Sequence, residues 1–241
     1  MTTAELPLFV MSLQAFVQAE NIQPNPNYEY WKSGLYCVLD CVYSAQARYA
    51  SVVLPILQER FPKATGLIDQ PDLEFSAFLR DAGKTPSADH FEDCAVNVMH
   101  NRQKIAGRLK VQVAWDVCQF FINHDPPLET LADLRKLGDT QLENLVLVEL
   151  VGQIRGMGPV LGRYLLLMLG LEQHVKPDTL LVRLLSRVGG RTLQSGHQGD
   201  MHLIQQVVTE VANAMGTTPA RLDNALWFYE STRPRTSSSS G

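Results

Sequence analysis

The sequence predicts an all-α fold, and three observations lead there. Nearly every segment repeats its apolar residues with a helical period, no segment sustains the alternation of a half-buried strand, and clusters of Gly, Pro, Asn and Asp separate the periodic runs. The chain has 241 residues, 45% hydrophobic and 19% charged, enough to bury a substantial core with the balance of an ordinary globule. No apolar run approaches the roughly 20 residues of a membrane helix. The N-terminus lacks the basic start, apolar stretch and small-residue cleavage site of a secretory signal. Cys37, Cys41, Cys94 and Cys118 are too few and too irregularly spaced for a disulfide framework. The expected location is cytoplasmic, at the nucleoid in a bacterium.

Taken in order, residues 8–20 read as a first helix, with Leu8, Val10, Met11, Leu13, Phe16 and Val17 on a broad apolar side, ended by the Pro/Asn turn at 23–27. Residues 33–60 read as a long helical stretch with a break or kink at Pro55. A helix over 72–82 stops at Gly83, and 86–99 is helical but weakly determined. Ile105, Leu109, Val113, Val117, Phe120 and Phe121 mark a helix from about 103 to 123, ended by the HDPP run. A short helix at 130–137 precedes a capping-box pattern, Thr140 to Glu143, that opens an apolar helix over 141–153. Beyond the hairpin region at 154–190, Asp200 can cap a helix running to Gly216, and Thr218-Pro219 opens a last one over 219–230. The tail, 231–241, has no apolar content and is expected to be disordered. No sheet is expected.

Two features carry chemistry. In Ile154-Arg155-Gly156-Met157-Gly158-Pro159-Val160, two alternating glycines allow a tight turn between helices and leave amides bare at the start of the second. Bare amides at the positive end of a helix dipole can seat a phosphate, although most such turns only reverse the chain. Asp178, after Lys176-Pro177 and before an apolar run, is placed as an N-cap. A capped carboxylate is held rigid and ionised, which suits it to stabilise positive charge on a sugar or to orient water.

Charge speaks less clearly. The formal net charge of -4 argues mildly against a nucleic-acid partner, but Arg102, Lys104, Arg108 and Lys110 form one basic stripe and Arg183, Arg187 and Arg191 another. Each stripe is equally a solvated helix face. The six histidines are scattered, and no Walker loop, dinucleotide fingerprint or nucleophile elbow occurs.

The segment from Ile154 to Val188, with the Gly/Pro turn and the later Asp178, resembles the helix-hairpin-helix signature of the DNA glycosylase superfamily that includes endonuclease III and the alkylbase glycosylases. Residues 43–52, with a Ser-x-Gln core, are similar to the family's early helix segment. The resemblance implies two helical lobes, 28–172 and 1–27 plus 173–230, with a helix-hairpin-helix motif and an interlobe cleft. It implies Asp178 as the catalytic carboxylate, Gln46 as the filler of the gap left by an everted base, and a duplex DNA partner bound by a monomer. Arg155, Gly156, Met157, Gly158 and Val160 of the hairpin would then contact DNA, with Arg102 and Arg108 beside them. Trp31, Tyr49 and Trp115 would line the base pocket, with Trp227 and Tyr229 less favoured, and His100 and Asn101 could touch base edges or phosphate.

Departures from the family refine the expectation. Val160 stands where bifunctional members carry a Schiff-base lysine, so no lyase activity is expected. No cysteine follows Cys118, so no iron–sulfur cluster is expected; Leu180 replaces a frequent histidine. Neither metal nor cofactor is expected, a monovalent cation at the hairpin aside. The reading is therefore base excision by a monofunctional DNA glycosylase. The alternatives are a non-catalytic module that binds DNA structure and a helical protein–protein scaffold.

Overall fold

A computed structural model describes residues 5–81 and 87–233. The fold is all-α, as expected. Among the described residues no helix is long and apolar enough to cross a membrane. Among the described residues the one departure is a small hairpin, β1 (Lys104–Ile105) against β2 (Arg108–Leu109). Its two-residue turn has Ala106 at φ 52° and Gly107 at φ 82°, the left-handed pair whose twist suits a hairpin. The helix expected from about 103 therefore begins only at Lys110. The chain divides into two compact units, Glu29–Leu171 and Met1–Tyr28 with Glu172–Gly241.

The Glu29–Leu171 unit is built around α2 (Gly34–Ser44), capped by the Ser33 hydroxyl and buried through Tyr43. It packs against α6 (Lys110–Ile122) and α10 (Pro159–Met168), while α4 (Phe75–Asp81) covers α6. The stretch 33–60 is not one helix. After α2 the chain turns at Gln46, φ 53°, then runs as wide π turns over Tyr49–Val53 and Ile56–Arg60 into α3 (Phe61–Thr65). The cause is Lys110, 1% exposed, whose ammonium donates to the carbonyls of Tyr43 at 2.9 Å and Ala45 at 2.6 Å. Those carbonyls of α2's last turn are satisfied by a side chain instead of a further helical turn.

Further along, α5 (Ala88–Asp93) is capped by Ser87 and continues as a π segment over Cys94–Val98; Gly83 lies outside the described residues. The capping box forms at Thr130 and Asp133, opening α7 (Leu131–Lys136), and not at Thr140. Gly138, φ 77°, turns the chain so that α8 (Asp139–Asn144) starts at Asp139, leaving Thr140 inside the first turn. A π segment over Leu145–Leu150 leads into α9 (Val151–Gln153).

In the other unit, α1 (Glu5–Ala19) buries Phe9, Leu13 and Val17 among residues of α11 (Thr179–Val188), α12 (Gln198–Ala214) and α13 (Pro219–Thr232). Leu184, Leu185, Ile204, Val207, Val208, Leu222 and Leu226 share that core. Thr218 caps α13 and Pro219 occupies its first turn, as the sequence predicts. His197, not Asp200, caps α12: Asp200 is the third helical residue, and its carboxylate takes the Gln194 amide at 3.0 Å. The tail begins helical, to Thr232; residues 234–241 lie outside the described ones.

Candidate functional site

Helix α9 ends at Gln153, the chain turns over residues 154–158, and Pro159 opens α10. Two glycines make the turn possible. Gly156 sits at φ 110°, and a Cβ there would meet Val113 Cγ2 at 3.1 Å. Gly158 is the N-cap of α10 and no side chain caps it, so the amides of Val160 and Leu161 have no intrahelical partner. The Met157 side chain is buried and its amide donates to the Ile154 carbonyl at 2.9 Å, which fixes the turn. Arg155 is exposed, its carbonyl accepting from Arg108 Nη1 at 3.4 Å, so the β1–β2 hairpin buttresses the helical turn. Val160 is half-buried. A recess of about 460 Å³ opens here, lined by Ile105, Ala106 and residues 151–158. Rigid bare amides at a helix start are the arrangement that receives an anion.

Asp178 belongs to the other unit. It caps α11 as expected, Oδ1 accepting the amides of Leu180 at 2.9 Å and Leu181 at 3.1 Å. Among the described residues its Oδ2 accepts no hydrogen bond, and the residue is half-buried, not sealed in the core. One oxygen holds the carboxylate in place and the other is not engaged among the described residues. The strand-like strap before it is pinned along its length. The Lys176 amide donates to Asp223 Oδ2 at 2.8 Å, the Pro177 carbonyl accepts from Ser195 Oγ at 3.0 Å, and the Val175 amide donates to Gln205 Oε1 at 3.1 Å.

The aromatic candidates separate. Trp115 is 7% exposed and packs edge-on against Phe91 and obliquely against Phe78, a core residue of the Glu29–Leu171 unit. Trp31 and Tyr49 are half-buried and come together on one acceptor, Asp40. Trp31 Nε1 donates to Asp40 Oδ2 at 2.7 Å, the Tyr49 hydroxyl to the same oxygen at 2.5 Å, and the Tyr164 hydroxyl to Oδ1 at 2.8 Å. Asp40 itself is fully buried. In the C-terminal unit the Tyr229 hydroxyl donates to Glu20 at 2.7 Å and its ring meets Phe16 edge-on. Trp227 is half-buried in the same unit.

Gln46 is exposed on the left-handed turn after α2, not on a helix. Most of both basic stripes is engaged. Arg102 pairs with Glu92, Arg108 with Asp116, and Lys110 is buried; among the described residues Lys104 is the member of that run that is exposed and outside an ion pair. Arg183 Nε lies 2.7 Å and Arg187 Nη2 2.9 Å from the carboxylate of Glu230, and Arg191 lies 3.7 Å from Asp200. Burial would raise the Glu230 carboxyl, but Arg187 and Arg183 hold it below its usual range. Of the pair at 100 and 101, the His100 carbonyl accepts from Arg60 at 3.4 Å and the Asn101 side chain accepts the Gln103 amide at 2.9 Å.

Sequence reasoning missed Asp40, Lys110 and Asp223. Each had a signal. Asp40 is the lone carboxylate in the apolar run GLYCVLDCVYS, Lys110 stands where an amphipathic helix turns inward, and Asp223 falls at helical spacing between Pro219 and Leu226. A charged residue on an apolar face needs partners. All four cysteines are buried and in no disulfide, and burial pushes the Cys37 and Cys118 thiols well up.

A family model described as Domain of unknown function (DUF8548) matches residues 9–231. No curated protein and no solved structure matches the chain.

Proposed function

The chain belongs to the Domain of unknown function (DUF8548) family, whose description names no activity, and from its own residues we propose that it is a monofunctional DNA glycosylase. The observation that carries the proposal is the divided carboxylate of Asp178: Oδ1 caps α11 while Oδ2 accepts nothing among the described residues. A fixed anion of this kind stabilises the positive charge that develops on a sugar as its bond to a base breaks, and orients the water that replaces the base. The target base must first leave the duplex, since its glycosidic bond is shielded in the stack.

The other parts take supporting roles. The bare amides at the start of α10 hold a DNA phosphate and fix register without reading sequence. Exposed Arg155 lies in that turn and exposed Lys104 on the β1–β2 hairpin that buttresses it, and the exposed pair of Arg102 with Glu92 is weakly held and can exchange its partner for a phosphate. Gln46, projecting from a turn that Lys110 fixes, fills the space the everted base leaves. Trp31 and Tyr49, tied by their polar edges to Asp40, offer ring faces for stacking the base. With Val160 on the first turn of α10, no amine is available there to attack the sugar, so the abasic strand stays intact.

The test is incubation with a panel of modified-base duplexes followed by alkali, which cuts at abasic sites. The wild-type protein should release a base from at least one duplex, and Asp178→Asn should slow single-turnover release by about a hundredfold to a thousandfold with DNA affinity retained. Borohydride should trap no protein–DNA adduct. Binding to duplex with no release from any member, unchanged by the substitution, would mark a non-catalytic DNA-binding module instead.

A further inference from the structure

We propose that Asp223 is a positioning residue for Asp178, holding through its own carboxyl the strap on which the catalytic carboxylate is mounted. The inference rests on the glycosylase reading for its catalytic consequence, but the mechanical coupling stands on separate observations. Asp223 lies in the first half of α13 and is 5% exposed. Its Oδ2 accepts the Lys176 amide at 2.8 Å, two residues before Asp178. The Asp178 amide in turn donates to the Lys176 carbonyl at 2.7 Å, closing a tight turn around Pro177. The same peptide chain is therefore gripped by α13 at Lys176, by Ser195 at Pro177, and by α11's first amides at Asp178. Movement of Asp223 would be transmitted to the carboxylate through one residue of fixed φ, because the proline ring cannot absorb the change.

The electrostatics agree with that placement. Burial raises the Asp223 carboxyl to about 8; the Lys176 amide opposes the rise and the Asp178 charge adds to it. Lys176 and Asp178, both on the strap, are the charged groups that act on it. At neutral pH Asp223 thus holds its proton. It supplies an acceptor for the strap without placing a second anion beneath Asp178.

A structural core residue would also be buried, so the test must separate holding from filling. Asp223→Asn keeps an acceptor oxygen for the Lys176 amide; Asp223→Leu fills the space without one. Single-turnover base release should fall by about a hundredfold in the Leu variant with duplex affinity little changed, and should stay near wild type in the Asn variant. The second measurement needs no activity: amide proton–nitrogen spectra of the wild-type protein followed through pH. The Lys176, Leu180 and Leu181 resonances should shift together with a midpoint at about 8, and that shift should vanish in Asp223→Asn. Amides of Leu180 and Leu181 that ignore both the titration and the Leu substitution would overturn the proposal. If the wild-type protein releases no base, the glycosylase reading fails while the spectra still decide whether Asp223 governs Asp178.

Discussion

A carboxylate with no exposure to water survives only when donors surround it, and Asp40 has three, from Trp31, Tyr49 and Tyr164. Removing it takes one acceptor from all three at once. Asp40→Leu is expected to lower stability by about 3 kcal/mol or more, the scale of breaking a buried charged network. Asp40→Asn should cost less, because one acceptor oxygen survives. Urea unfolding measures both, and Trp31 emission should change in either variant without a matching loss of helix. At this scale, legibility in the sequence depended on the partner's distance along the chain. Asp178 could be read because its partners, Leu180 and Leu181, follow it directly. Asp40 could not, because Tyr164 lies far downstream and a pattern of apolar residues does not say which tyrosine will arrive. Arg183 and Arg187 looked like an open stripe for the same reason: Glu230, their partner, is on another helix.

Helices were legible where local chemistry decides them. Thr218-Pro219 and Asp178-Thr179 begin helices because cap and first turn are adjacent in sequence. The failures came where a distant group intervened. The stretch 33–60 has helical periodicity throughout, yet Lys110, from α6, ends α2 by taking its last carbonyls. The β1–β2 hairpin was hidden because Ile105 and Leu109 are four apart, a helical spacing, and only Gly107 hinted at the turn. The same hairpin makes the helical turn at 154–158 stiff, and stiffness is testable there. Gly156→Ala must adopt φ 110° and press its Cβ toward Val113 at 3.1 Å. Strain of this sort costs about 1–3 kcal/mol, so the turn should relax to another geometry. On the proposed glycosylase reading, duplex affinity should drop and its salt dependence flatten, with helix content unchanged; titrations at two salt concentrations would register the change.

For the molecule as a whole, Asp223 sets a slope in stability against pH. Its carboxyl titrates at about 8 when folded, against 3.8 for the ordinary group. Between those values the folded chain keeps a proton that the unfolded chain has lost, so the unfolded state binds fewer protons and stability falls as pH rises. Below about 4 the effect is absent, and above about 8 it is complete. Asp223→Asn should flatten that fall, read from urea midpoints across the window. The all-α class was fully legible because periodicity is a property of the entire chain. What periodicity cannot convey is which helices share a core.

That sharing has a consequence for how the protein is made. Phe9, Leu13 and Val17 are synthesised well before the helices that bury them, α11 to α13. The Glu29–Leu171 unit is continuous and is complete before α11 to α13 are made. Until α11 to α13 emerge, the apolar face of α1 stays uncovered.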